Sequence, residues 1–132
     1  MVTTYFKNLV ADNVWHTAGA TAFPADYWLA LSSTEPLEDG TGVTEPEAMC
    51  GYVRTKMHTL TAAVDGSVNN GAIISWPKTT AAGGAVTYWA LFDAENGGNL
   101  LMGNPLDAEK HLDAGTSISV EVNGLTLNVL GD

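Results

Sequence analysis

The sequence predicts a mainly β protein, an antiparallel β-sandwich or barrel-like domain with a short N-terminal helix. Apolar and polar residues alternate with a period of two in short segments after residue 25, which is typical of strands. Turns rich in Gly and Asn separate these segments, and helical spacing is confined to the N-terminal region. At 132 residues, the chain is predicted to be one domain over 1–132, with a helix in 1–17 and a β domain in 25–132.

Apolar side chains recur at helical spacing near the N-terminus, and Thr3 or Thr4 is a candidate cap. Together they form one apolar stripe: Tyr5, Phe6, Leu9, Val10 and Val14. Such a stripe must pack against the body of the domain or against another chain. We predict that it is a self-association or docking surface.

The strands are predicted at 27–31, 52–58, 72–76, 85–92 and 99–102. The first is apolar on both faces, which favours burial on both sides of a sheet. In 52–58, period-two spacing puts Arg54, Lys56 and His58 on one face. This basic face is predicted to be exposed, and Arg54 and Lys56 are candidates for the assembly surface.

The clearest hairpin is predicted near the C-terminus. Residues 117–122 and 125–130 flank Asn123-Gly124, a dipeptide typical of two-residue type I′ turns. The predicted register sets Val122 opposite Leu125, Val120 opposite Leu127, and Ile118 opposite Val129.

A long loop is predicted over 33–51, and it holds five acids: Glu35, Glu38, Asp39, Glu45 and Glu47. Loops of this length are usually functional or mobile. Whether this one binds a partner or an ion stays open.

The charge balance excludes two classes of partner. Five Lys and Arg against 15 Asp and Glu give a net charge of −10. A nucleic-acid binder needs a basic footprint, and so does an electrostatic membrane binder. We also predict no signal peptide, and no apolar run approaches the about 20 residues of a membrane helix.

No catalytic motif stands out, so the chain is predicted not to be an enzyme. Cys50 is the only cysteine, which rules out an intramolecular disulfide and favours a half-buried structural residue. The histidines are scattered. Residues 38–42 and 93–97 place carboxylates around glycines, as calcium loops do, but without EF-hand spacing. We therefore predict no catalytic residue, no cofactor and no metal ligand.

Four tryptophans divide between core and surface. Trp28 and Trp89 lie in strongly apolar strands and are predicted to be core residues. Trp76 stands at a strand end before Pro77, and it is predicted to be the exposed ring. An exposed tryptophan can stack on a sugar or anchor a protein partner.

Short ordered motifs carry a family resemblance. They are YWLALSSTEP at 27–36, GYVR at 51–54, SWP at 75–77, VTYWALFDA at 86–94 and GGNLL at 97–101. With the N-terminal helix and the acidic loop, the series resembles small phage and prophage virion proteins of the tail-fibre type. The resemblance covers nearly the whole chain, and its motifs are structural rather than catalytic.

The resemblance implies a non-enzymatic virion protein, made in the host cytoplasm and associated with a tail or fibre in several copies. Its partners would be other virion proteins and copies of itself. Two alternatives stay open: a capsid decoration or head-fibre protein, and a module that binds a host receptor or glycan.

Overall fold

The computed structural model describes residues 1–57 and 60–128. Helix α1 spans Thr4–Trp15, and a 3-10 turn spans Ala48–Cys50. Eight strands follow α1 in the described residues: β1 (Tyr27–Ser32), β2 (Thr55–Met57), β3 (Ser67–Asn69), β4 (Ile74–Ser75), β5 (Gly84–Phe92), β6 (Leu100–Leu112), β7 (Ser119–Val120) and β8 (Thr126–Asn128). Strand content of 36% against 12% helix confirms the predicted mainly β class, and the antiparallel sheets do not close into a barrel.

The main sheet has four strands in the order β2-β1-β5-β6, all antiparallel. Strand β1 is central, and Leu29, Ala30 and Leu31 are fully buried. The prediction of a strand buried on both faces is confirmed, because each face of β1 carries a separate apolar cluster.

The two faces of the main sheet differ in what covers them. On one face, Leu29 opposite Leu91 joins a core that includes side chains from α1, β4 and β8. Two small sheets, β3-β8 and β4-β7, contribute to this core. On the other face, Ala30 opposite Ala90 belongs to a smaller cluster with Phe92.

Strand β6 is much longer than the predicted 99–102. Lys110 pairs with Val86 and Pro105 pairs with Tyr88. Between these pairs the register advances two residues on β5 and five on β6, so β6 bulges over 106–109. Pro105 is tolerated because β6 is an edge strand, where a missing N–H costs no ladder bond.

The predicted C-terminal hairpin is wrong in its pairing. Strand β7 pairs with β4, and β8 pairs with β3. The Asn-Gly dipeptide does turn the chain, but the turn is centred one residue earlier. The N–H of Gly124 donates to Glu121 O at 2.8 Å, and Asn123 takes a positive φ of 64°. The predicted partner Val129 lies outside the described residues.

Asn70 is the physical reason that the two strands separate. It is fully buried. Its Nδ2 donates to Glu121 O at 2.7 Å, its Oδ1 accepts from Leu125 N at 2.9 Å, and its carbonyl accepts from Asn123 N at 2.9 Å. These bonds, called the Asn70 clasp below, occupy backbone groups that a tight hairpin would have paired with each other.

Two other predicted strands are shorter than expected. The predicted 52–58 strand reduces to β2 (Thr55–Met57), and the predicted 72–76 strand reduces to β4 (Ile74–Ser75). His58 lies outside the described residues.

Candidate functional site

The start of helix α1 is fixed to the edge of the main sheet by Thr3, which is fully buried. The Thr3 hydroxyl caps the helix by accepting from Phe6 N at 3.2 Å and donates to Leu100 O at 2.7 Å. The Thr3 N–H donates to Leu101 O at 2.9 Å. The cap is therefore also a link to β6, which sets which face of the helix points inward.

The predicted apolar stripe divides between core and surface. Phe6 and Leu9 are buried in the main core, and Val10 packs partly against it. Tyr5 and Val14 stay exposed. The prediction that the whole stripe is a docking surface is therefore wrong for Phe6 and Leu9, because the sheet already covers them.

The exposed tryptophan is Trp15 rather than Trp76. Trp15 is 84% exposed and lies at the end of α1 beside Val14. It follows Phe6 by nine positions, or two and a half turns at about 3.6 residues per turn, and so lies opposite the buried face. The sequence could have predicted this exposure, because Trp15 falls outside the apolar stripe. We call Val14 and Trp15 the outer patch.

The prediction for Trp76 is wrong. Its side chain is only 4% exposed and belongs to the main core. The backbone N–H of Trp76 donates to Ile118 O at 2.9 Å, which extends the β4-β7 pairing past the end of β4. That pairing folds the ring inward even though Pro77 follows.

The prediction of an exposed basic strand face is also wrong, because Arg54 points inward. Its side chain is 8% exposed. Nε and Nη2 bond the two Glu45 oxygens at 3.0 and 2.9 Å, and Nη1 donates to the carbonyls of Ala94 and Gly97 at 2.8 and 2.7 Å. The guanidinium also lies 3.6 Å from the centre of the Phe92 ring, a favourable cation–π geometry.

Tyr52 completes this cluster. Its hydroxyl donates to Glu45 Oε1 at 2.6 Å and accepts from Leu31 N at 3.2 Å. We call Glu45, Tyr52 and Arg54 the loop clamp, because they tie the acidic loop to β1 and to the β5–β6 connection. Five donors in a rigid fork suit arginine to such a position.

Electrostatics in the loop clamp favour the charged pair. Burial would raise the pKa of Glu45, but hydrogen bonds from Arg54 and Tyr52 and the charge of Arg54 outweigh it, so the pKa of Glu45 is lowered. The pKa of Tyr52 is raised by burial and by the Glu45 carboxylate. The tyrosine therefore stays protonated and remains a donor.

Unlike Arg54, Lys56 remains at the surface. Its ammonium lies 3.3 Å from Asp26, with both side chains 48% exposed. Exposed pairs of this kind contribute about 0–1 kcal/mol. Arg54 and Lys56 therefore do not form one shared surface, and only Lys56 remains accessible to a partner.

Hydrogen bonds join residues of the acidic loop to one another and to the end of β1. The Ser32 hydroxyl accepts from Thr44 N at 2.9 Å, and the hydroxyls of Thr34 and Thr44 bond each other at 2.8 Å. Gly42 has a φ of 93°, and a Cβ there would clash with the backbone oxygen of Glu35. The loop conformation therefore depends on glycine at this position.

In the two candidate calcium loops, the Asp39 and Asp93 carboxylates accept hydrogen bonds from nearby residues. Asp39 Oδ1 accepts from Thr41 N and Oγ1 at 3.0 and 2.6 Å, and the Thr41 hydrogen bonds lower the pKa of Asp39. Asp93 bonds the backbone and side-chain nitrogens of Asn99 at 2.7 and 3.0 Å. Across residues 1–57 and 60–128, no group of three or more His, Cys, Asp or Glu is placed to hold a metal.

Cys50 is fully buried in the main core, more deeply than predicted. Its thiol donates to Glu47 O at 2.9 Å.

Among the described residues, two surface grooves are large enough to receive a small group. The Tyr88 groove, about 400 Å³, is lined by Tyr88, Glu35, Pro36, Leu37, Asn104 and Pro105, among others. The Leu106 groove, about 420 Å³, lies between the main sheet and the segment that carries β7 and β8. Its walls include Leu29, Trp89, Leu106, Val120 and Leu125, and its rim includes Lys110.

The fold and these surfaces define a β-rich structural module: its buried polar groups hold loops in place, and an aromatic side chain stands out at the surface. A family model described as podophage GP4 fiber I protein gp80 matches residues 1–128. The chain belongs to this phage fibre family, and the resemblance stated from the sequence is confirmed. No curated protein matches the chain. Within the described residues, the helix is too short and too polar to cross a membrane.

Proposed function

We propose that this chain is a non-enzymatic structural subunit of a phage fibre, carried on the virion in several copies. The observation that carries the proposal is the family match over residues 1–128. The geometry supports it, because the buried polar groups described above are engaged in holding backbone and loops. The copies would associate with one another and with other virion proteins through exposed apolar side chains.

Location on the particle is tested by immunogold labelling of purified virions with antibodies against this chain. A fibre subunit predicts label at the tail or at fibres that project from it. Label spread over the capsid shell would favour the alternative of a decoration or head-fibre protein. An absence of label from particles that contain all other structural proteins would contradict the proposal.

A second candidate is binding of a host-surface saccharide, and the Tyr88 groove favours it. Tyr88 is half-buried there, and Pro36, Asn104 and Glu35 line the same groove. An aromatic ring beside amide and carboxylate groups suits the apolar and hydroxyl faces of a sugar. A glycan array with the wild type and Tyr88→Ala tests this: binding that the substitution abolishes supports it, and no binding by the wild type contradicts it.

A further inference from the structure

We propose that Asn96-Gly97, in the connection between β5 and β6, is a site of spontaneous deamidation, which the folded chain leaves open while it protects other sites of the same kind. Asparagine followed by glycine also occurs at 70–71 and at 123–124. These dipeptides are chemically alike, so the fold decides which of them reacts. The inference concerns a covalent modification and is independent of the fibre assignment.

Deamidation at an asparagine-glycine dipeptide needs no enzyme. The backbone nitrogen of the glycine attacks the side-chain carbonyl carbon of the asparagine, a new C–N bond forms, and the side-chain nitrogen leaves as ammonia. Water then opens the resulting cyclic imide at either carbonyl, which gives aspartate or isoaspartate. Glycine favours the attack because it has no Cβ and leaves the backbone free to take the required conformation. The reaction therefore needs an unbonded asparagine side chain, an unbonded glycine N–H and access of water.

Asn96-Gly97 meets each of these conditions. Both residues are exposed to solvent. Among the hydrogen bonds of residues 1–57 and 60–128, none is made by the Asn96 side chain or by the Gly97 N–H. Apart from the chain neighbours of Gly97, no heavy atom of the described residues lies within 4 Å of the position that a Cβ would take there. The backbone nitrogen therefore has room to approach the side chain.

Asn70 is protected by the Asn70 clasp. It is fully buried, and its Nδ2 donates to Ala72 O at 3.0 Å as well as to Glu121 O at 2.7 Å. Its Oδ1 accepts from Leu125 N at 2.9 Å. Attack by the nitrogen of Gly71 would require the amide to leave these bonds. Buried backbone groups would then lose their partners, which is unfavourable.

Asn123 is protected in a different way, by the turn in which it lies. Its side chain is exposed, but the N–H of Gly124 donates to Glu121 O at 2.8 Å. This bond engages the nitrogen that would have to attack. The N–H of Asn123 donates to Asn70 O at 2.9 Å, which holds the backbone on the other side of the side chain. Deamidation at Asn123 is therefore expected to be slow while the turn is folded.

Modification of Asn96 is expected to weaken the loop clamp. Arg54 Nη1 donates to Ala94 O at 2.8 Å and to Gly97 O at 2.7 Å, so residues 95 and 96 set the spacing of these carbonyls. Isoaspartate at 96 would carry the chain through its side-chain carbonyl carbon and add an extra backbone atom between them. Arg54 could then no longer bond both carbonyls as it does now. Aspartate would keep the normal spacing and add only a charge.

The test compares deamidation in the folded and the unfolded chain. The purified protein is incubated in mildly alkaline buffer with and without urea, and peptide mapping by mass spectrometry locates the modified residues. In the folded chain, Asn96 is expected to deamidate several-fold faster than Asn70 or Asn123. In urea, all of them are expected to react at similar rates, because the protection depends on the fold. Equal rates at Asn96 and Asn123 in the folded chain, or faster reaction at Asn70 or Asn123, would overturn the proposal.

Two variants test the effect on the loop clamp. Asn96→Gln keeps the amide but reacts far more slowly, because its longer side chain would have to close a larger ring. Urea denaturation is expected to show that incubated wild type loses stability in proportion to its isoaspartate content, while incubated Asn96→Gln loses none. Equal losses in both would overturn the link to the loop clamp. Fresh Asn96→Asp carries the new charge on a normal backbone and is expected to match fresh wild type, and a loss as large as that of incubated wild type would overturn the role of backbone spacing.

Discussion

The guanidinium of Arg54 and the carboxylate of Glu45 meet through two parallel hydrogen bonds, of 3.0 and 2.9 Å. Because Arg54 also bonds the carbonyls of Ala94 and Gly97, one side chain holds both the acidic loop and the β5–β6 connection. Two exposed loops thus share a single buried charge pair, and their relative position depends on it.

Replacing Arg54 is expected to destabilise the protein strongly. Arg54→Met leaves the Glu45 carboxylate partly buried without its partner, and breaking a buried pair in this way costs about 3 kcal/mol or more of the free energy of unfolding. The matched control is Lys56→Met, which breaks the exposed pair with Asp26 and should cost less than about 1 kcal/mol. Urea denaturation followed by circular dichroism measures both, and equal losses would show that the loop clamp adds no special stability.

Acid is expected to weaken the loop clamp through Glu45. The pKa of Glu45 is lowered from its usual 4.5 in the folded chain, so the unfolded chain binds a proton first as pH falls. The stabilisation is fully present above about pH 5 and is lost as pH drops below 4.5 through the folded-state pKa. Unfolding free energies of the wild type and Glu45→Gln between pH 3 and 7 test this. The variant should show a flatter profile at its acid end, and parallel profiles would argue against a role for this carboxylate.

Asn70 is expected to be among the most sensitive polar positions. Asn70→Ala removes the partners of Glu121 O and Leu125 N, and each buried unpaired group costs about 1–3 kcal/mol. Asn69→Ala is the control, because its side chain bonds only the exposed Thr126 hydroxyl at 2.8 Å among the described contacts. Asn69→Ala should lower the free energy of unfolding by no more than about 0.5 kcal/mol. Thermal unfolding compares the two, and a small effect at Asn70 would mean that the clasp is dispensable.

The helix is expected to be part of the core as well as a carrier of the outer patch. Phe6→Ala should lower the free energy of unfolding by about 3–5 kcal/mol, as removal of a buried phenylalanine does. Tyr5→Ala, at a neighbouring position that is 39% exposed, should change it far less. Chemical denaturation of both variants checks this, and comparable losses would contradict the inward orientation of the Phe6 face.

Local sequence patterns predicted the elements that depend on local physics. The capped helix, the doubly buried β1 and the apolar β5 follow from spacing and burial alone. Patterns of this kind do not specify which segments pair. The predicted pairing of the C-terminal hairpin was wrong for that reason. Asn123-Gly124 turns the chain, but the buried side chain of Asn70, about 50 positions earlier, hydrogen-bonds the backbone on both sides of the turn.

The candidate site was predicted only in part. The predictions for Arg54 and Trp76 were wrong because contacts with segments distant in the sequence decide where these side chains lie. Period-two spacing placed Arg54 with Lys56 on one face, but Arg54 precedes β2 (Thr55–Met57), so strand alternation does not govern it. An arginine near acidic residues gives no sign in sequence of whether it faces water or a carboxylate. Trp76 was also predicted wrongly, because the segment that pairs beside it, at Ile118, lies more than forty residues further along the chain.

The central claim, that this chain is a fibre subunit in several copies, is tested most directly by counting it in the particle. Quantitative mass spectrometry of purified virions, calibrated with labelled peptides of this chain and of the major capsid protein, gives copies per particle. A fibre subunit is expected at a constant number greater than one across preparations. Absence from purified particles, or a single copy per particle, would contradict it.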